Sequence, residues 1–123
     1  MEDTGKVVLV VEDSLLIIER IIRLLSEADN IKMVIHAANY AESLKMINEI
    51  SADIILLDLN LPDKSGLELL KEIKSNQPQV KVIVLTNHAS DNYREICTYM
   101  GADYFFDKSS DFDKLPGTIS AMN

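Results

Sequence analysis

Five short apolar runs, each followed by a stretch of helical periodicity, restrict this chain to a narrow set of folds. The runs are residues 6–11 (KVVLVV), 32–37 (KMVIHA), 53–58 (DIILLD), 81–86 (KVIVLT) and 103–107 (DYFFD). Near-continuous β-branched runs of this kind suit strands buried on both faces. After the first run, Ser14 is a helix N-cap, with Leu15, Ile18, Ile22 and Leu25 at helical spacing. Asn39 and Glu42 have capping-box spacing before a helix to about residue 50, and Ser65 and Glu68 before one to about residue 75. Ser90 caps a helix through Tyr99, and Gly101 stops it. Residues 111–123 read as a weaker helix, its start blurred by Pro116 and Gly117.

Strand and helix alternating five times predict a parallel sheet with helices on both faces, joined by right-handed crossovers. The expected class is α/β, a flavodoxin-like doubly wound sheet of order 2-1-3-4-5. With 123 residues and no linker or repeat, one domain over residues 1–123 is expected, without an output domain.

Composition narrows the function. The net charge of −8 argues against a nucleic-acid surface, which needs a dense basic stripe. A lone cysteine, Cys97, allows neither an internal disulfide nor a cysteine-based zinc site, and no neighbouring base activates it. It is expected to be a buried structural thiol. The first residues, MEDTGK, are not a signal peptide, and no apolar run approaches the ~20 residues of a membrane span. A reducing cytoplasm is the expected setting.

Ligands of such sheets bind at the carboxyl ends of the strands, beside the switch point between strands 1 and 3. Strand 1 ends in Glu12 and Asp13, strand 3 in Asp58, strand 4 in Thr86, and strand 5 near Lys108. Carboxylates at ~4 Å repel by about 4 kcal/mol per pair at an effective dielectric of ~20, so either their pKa values rise or a cation sits among them. A few hard oxygen ligands suit Mg²⁺ (or Mn²⁺). The stretch from Asp58 to Asp63 begins like an EF-hand loop, but Asp63 stands where glycine is needed and Leu69 where glutamate is needed. There is no Walker loop, GxGxxG motif or Ser-His-Asp set. A carboxylate beside a divalent cation, a lysine and a hydroxyl can accept a phosphoryl group.

These residues resemble the receiver domain of two-component response regulators over essentially the whole chain. The resemblance rests on Glu12-Asp13 after VLVV, on Asp58 after DIILL with Pro62 and Gly66 beyond it, on Thr86 after VIVL, and on Lys108 after GADYFFD. It implies that Asp58 is the phosphoacceptor. Asp13 ligates the metal together with Asp58 and the Asn60 backbone carbonyl, and Glu12 assists through water. Thr86 and Lys108 contact the phosphoryl group, and Phe105 pairs with Thr86 as a switch that reshapes the helix 4–strand 5–helix 5 face. The implied phosphodonor is a sensor histidine kinase or phosphotransfer protein, and the reshaped face binds a downstream protein or output domain.

Three positions depart from the family pattern. Ser109 follows Lys108 where proline is usual, which removes the ordinary reason for a cis bond there. Asn87 replaces a small residue and is a candidate modulator of access to the site, and His88, two residues after Thr86, is a candidate modulator of hydrolysis. The switch aromatic is Phe, without a hydroxyl. Two other functions compete. A phosphatase of the haloacid dehalogenase type also uses a nucleophilic Asp, but needs a second Asp at position 60, where Asn stands. A receiver-like interaction module that is never phosphorylated is the other.

Overall fold

The computed structural model describes residues 5–87 and 90–122. The strands are β1 (Lys6–Val11), β2 (Ile31–Ala37), β3 (Ile54–Asp58), β4 (Lys81–Thr86) and β5 (Tyr104–Asp107). The helices are α1 (Leu15–Leu25), α2 (Tyr40–Glu49), α3 (Gly66–Asn76), α4 (Asp91–Tyr99) and α5 (Leu115–Ser120), with a 3-10 turn at Phe112–Lys114 before α5. The sheet order is β2-β1-β3-β4-β5. Every neighbouring pair is parallel, as expected from the alternating pattern.

The apolar strands divide their side chains between two cores. Leu9, Val11, Ile55, Leu57, Val82 and Val84 face α2, α3 and α4 through Ile47, Leu69, Ile73 and Cys97. Val8, Val10, Ile54, Leu56, Ile83 and Leu85 face α1 and α5 through Ile21, Leu25, Leu115 and Ile119. Strand alternation therefore sends Phe105 toward α4 and Phe106 toward α5. Cys97 is fully buried, and burial pushes its thiol above the ordinary range, in keeping with a structural role.

Several local expectations are corrected. In α1 the buried residues are Ile18, Ile21 and Leu25, whereas Leu15 and Ile22 are exposed. The helix is apolar on more than one stripe, so periodicity alone selects no face. Ser65 caps α3, but its Oγ accepts from the Leu67 N–H at 3.2 Å; the Glu68 N–H bonds the Ser65 carbonyl, and the capping-box bond to that N–H does not form. β5 begins at Tyr104, one residue later than expected, and the Asp103 side chain before it accepts from the Val82 N–H and the Lys74 ammonium. Pro116 sits in the first turn of α5, where a missing N–H costs no helical bond.

The other caps follow the sequence. Asn39 accepts from the Glu42 N–H at 2.8 Å, and Ser90 from the Tyr93 N–H at 3.2 Å. Gly101 ends α4 with φ +101°, a conformation open to glycine without strain. Gly66 answers a different need. A Cβ there would stand 2.5 Å from the Asp58 carbonyl oxygen and 2.6 Å from Leu59 Cα, so only glycine lets α3 start against the end of β3.

Candidate functional site

The carboxyl ends of β1, β3, β4 and β5 bring Glu12, Asp13, Asp58, Thr86 and Lys108 to one edge of the sheet. Parallel pairing sets their level: Val11 registers with Leu57, Asp58 with Leu85, and Thr86 with Asp107. Glu12, Asp58, Thr86 and Lys108 are buried polar residues, while Asp13 is exposed. One oxygen each from Glu12, Asp13 and Asp58 lies within 4.8 Å of the others.

Lys108 serves two of these acids. Its Nζ donates to Glu12 Oε1 at 2.6 Å and stands 3.3 Å from Asp58 Oδ1. Glu12 also accepts from the Ser14 N–H through Oε2, and Asp58 Oδ1 accepts from the Asn60 N–H at 3.1 Å. Burial pushes the Glu12 carboxyl above its ordinary value, the Lys108 hydrogen bond pulls it back, and the Asp58 charge pushes it up again. Three acids gather at this edge, Lys108 pairs with two of them, and all three offer hard carboxylate oxygens. That donor set fits a small divalent cation and does not fit a soft metal.

Thr86 shares a small cavity with Leu59, Asn60, Ser65, Leu67 and Tyr93, between the β3–α3 loop and the first turn of α4. Its carbonyl accepts from the Lys108 N–H at 2.9 Å, tying β4 to the lysine's backbone. Asn87 is exposed at the end of β4, and His88 lies outside the described residues. Phe105 is buried, with the Arg94 guanidinium 4.8 Å from its ring centroid and Arg94 Nη1 donating to its carbonyl at 3.2 Å.

Some supporting residues were not singled out from the sequence. Asp63, in the β3–α3 loop, accepts from the N–H groups of Tyr40 and Ala41 at 2.8 and 3.1 Å, so it caps α2 from outside that helix. These bonds hold the Asp63 carboxyl below its ordinary range. Lys64 adds its ammonium 4.8 Å from the Tyr40 ring. Asp107 accepts from both the N–H and the hydroxyl of Ser109. An Asp two residues before a Ser is a recognised turn signal and was available in the sequence. No described peptide bond is cis, Lys108–Ser109 included.

Comparison with known proteins gives the class: the model of the response regulator receiver domain matches residues 8–120, so the chain belongs to that family and to two-component signalling. It is 32% identical over 114 residues to the transcriptional regulatory protein MalR of Bacillus subtilis, covering 92% of this chain and 48% of that protein. It is 31% identical over 112 residues to the response regulator GacA of Pseudomonas viridiflava, covering 91% and 52%. The chain thus spans about half the length of these relatives. Among solved structures, the signal receiver domain of a LuxO repressor protein from Vibrio parahaemolyticus superposes with a TM-score of 0.86 at 27% identity, covering 94% of this chain and 88% of that one. A Burkholderia pseudomallei response regulator, solved with a phosphorylated aspartic acid, a calcium ion and citrate, gives 0.82 at 26% identity over 95% and 68%.

Proposed function

We propose that this domain is a phosphorylatable switch in which Asp58 accepts a phosphoryl group from a phosphohistidine donor. The observation that carries the reading is the position of Lys108 Nζ, which reaches Glu12 and Asp58 together while Asp13 lies at the same edge. An Asp58 oxygen attacks phosphorus, the N–P bond of the donor breaks, and its electron pair returns to the imidazole. Lys108 offsets charge on the phosphoryl oxygens, and the Thr86 hydroxyl donates to one of them. Asp13, Asp58 and the Asn60 backbone carbonyl would hold Mg²⁺ or Mn²⁺, with Glu12 acting through water. The bound cation supplies charge neutralisation at the transferring group.

The domain transfers phosphoryl to itself and releases it slowly by its own hydrolysis, without turning over an external metabolite. The donor is a sensor histidine kinase or phosphotransfer protein. Leu15 and Leu16, 71% and 79% exposed beside Asp13, offer it apolar contact at the mouth of the site. Thr86 and Phe105 relay the change to the α4–β5–α5 face, which binds a downstream protein or output domain. The family relationship and the acidic character of the chain support a cytoplasmic domain that acts through protein partners rather than by binding nucleic acid itself. Residues 1–123 form a single receiver unit in this reading. The reading leaves the Asn87 side chain as a modulator of access to the phosphoryl site and His88 as a modulator of hydrolysis.

Acetyl phosphate with Mg²⁺, followed by intact-mass measurement, tests the proposal. One phosphoryl adduct is expected, and Asp58→Asn abolishes it. An adduct formed at the same rate on the variant overturns the assignment.

A further inference from the structure

We propose that Asp107 is a positioning residue for Lys108, acting through a turn that it closes on Ser109. The inference rests on the reading of Lys108 as the cation of the phosphoryl site. Lys108 Nζ has to serve acceptors on two different strands, at 2.6 and 3.3 Å. A flexible four-carbon stem places its ammonium only as well as its own backbone is placed.

That backbone is fixed on both sides. Before the side chain, the Lys108 N–H is bonded to the Thr86 carbonyl at 2.9 Å. After it, the Ser109 N–H and hydroxyl both donate to Asp107 Oδ1, at 2.8 and 2.6 Å. This pair of bonds spans Lys108 and closes a ring around its φ and ψ, as Asp side chains do when they mimic a backbone turn. Asp107 is itself anchored: its N–H donates to Asp111 Oδ2 at 2.8 Å, and its carbonyl accepts from the Asp111 N–H at 2.8 Å. A proline at position 109 has neither N–H nor hydroxyl to give. Ser109 has both, so this chain builds the turn from side-chain hydrogen bonds.

The test compares phosphorylation rates with acetyl phosphate and Mg²⁺, and the side-chain ammonium signal of Lys108 in ¹⁵N NMR. Asp107→Ala is expected to slow phosphorylation about tenfold, because small misplacements of a reacting group are costly. Its Lys108 signal moves toward those of exposed lysines. Asp107→Asn presents the same Oδ1 acceptor, so it is expected to stay within about twofold of wild type and to keep the signal in place. Ser109→Ala keeps the N–H bond and is expected to lose about twofold. Wild-type rate and signal in Asp107→Ala, or an Asp107→Asn as slow as Asp107→Ala, overturn the proposal. If Asp107→Ala does not fold, Ser109→Ala decides, and an unchanged rate and signal there count against it. Lys108→Ala separates the two levels: if it is phosphorylated at the wild-type rate, the reading of Lys108 falls and the role of Asp107 falls with it. If only Lys108→Ala is slow, the reading stands and the positioning role alone is rejected.

Discussion

Lys108 donates to Glu12 at 2.6 Å across 96 residues of chain, and both side chains are almost fully buried. Removing one partner of such a pair leaves the other charge buried and alone, which costs on the order of 3 kcal/mol. Lys108→Ala is therefore expected to lose about 3 kcal/mol in metal-free urea unfolding. Mg²⁺ is expected to recover part of that loss, because a second cation at the acids replaces the missing ammonium. A Lys108→Ala protein whose stability does not rise with Mg²⁺ would show that the acids do not hold the cation.

Glu12 and Asp63 should leave pH signatures of opposite sign. The Glu12 carboxyl is raised above its ordinary 4.5, chiefly by burial. Its contribution to stability is complete below that value and is lost as pH rises through the raised one. Asp63 is held below its ordinary 3.8, first by the Tyr40 N–H. Its contribution is present above 3.8 and is lost as pH falls through the lowered value. In metal-free urea midpoints from pH 3 to 8, Glu12→Gln should gain on wild type as pH rises. Asp63→Asn should trail wild type at neutral pH and close that gap as pH falls through the acid end of the same range. Parallel curves for either variant contradict the corresponding contact.

Arg94 covers the ring of Phe105 and bonds its carbonyl. An exposed cation–π contact is worth about 0.5–1 kcal/mol, and the bond to the carbonyl adds to it. Arg94→Ala should destabilise the domain by about 1 kcal/mol and change the environment of Phe105. With 4-fluorophenylalanine incorporated, the ¹⁹F resonance of Phe105 should shift more than those of Phe106 and Phe112. A uniform response of all three rings would remove the specific contact.

Gly66 admits no side chain, because a Cβ would meet the backbone of Asp58 and Leu59. Gly66→Ala should cost about 1–3 kcal/mol, the usual range for overpacking, and slow phosphorylation by displacing Asp58. Urea unfolding and intact-mass kinetics on the same variant check both halves.

The sheet and the strand-end acids were legible because each depends on local pattern. Apolar runs mark buried strands, and parallel order puts every strand's end on one edge. The buried face of α1 was not legible, since Leu15 and Ile22 compete with Ile18 and Ile21 for the same periodicity. Asp63 looks like an ordinary loop acid, and its cap on Tyr40 spans 23 residues. Arg94 meets Phe105 only after α4 docks on β5. The Asp107–Ser109 turn was open to local reading, since an Asp side chain bonds the backbone two residues on and Ser109, unlike proline, has an N–H and a hydroxyl to donate.

The contact between residues 12 and 108 has a consequence for how the domain handles its signal. No fragment carrying fewer than four of the strands can assemble the acids, the hydroxyl and the ammonium together. Under the proposed function, a chain in which one of these strands has not yet docked lacks part of the phosphoryl site. In that reading the capacity to be phosphorylated certifies that β1, β3, β4 and β5 have come together, and a molecule in which they have not falls silent instead of sending a false message.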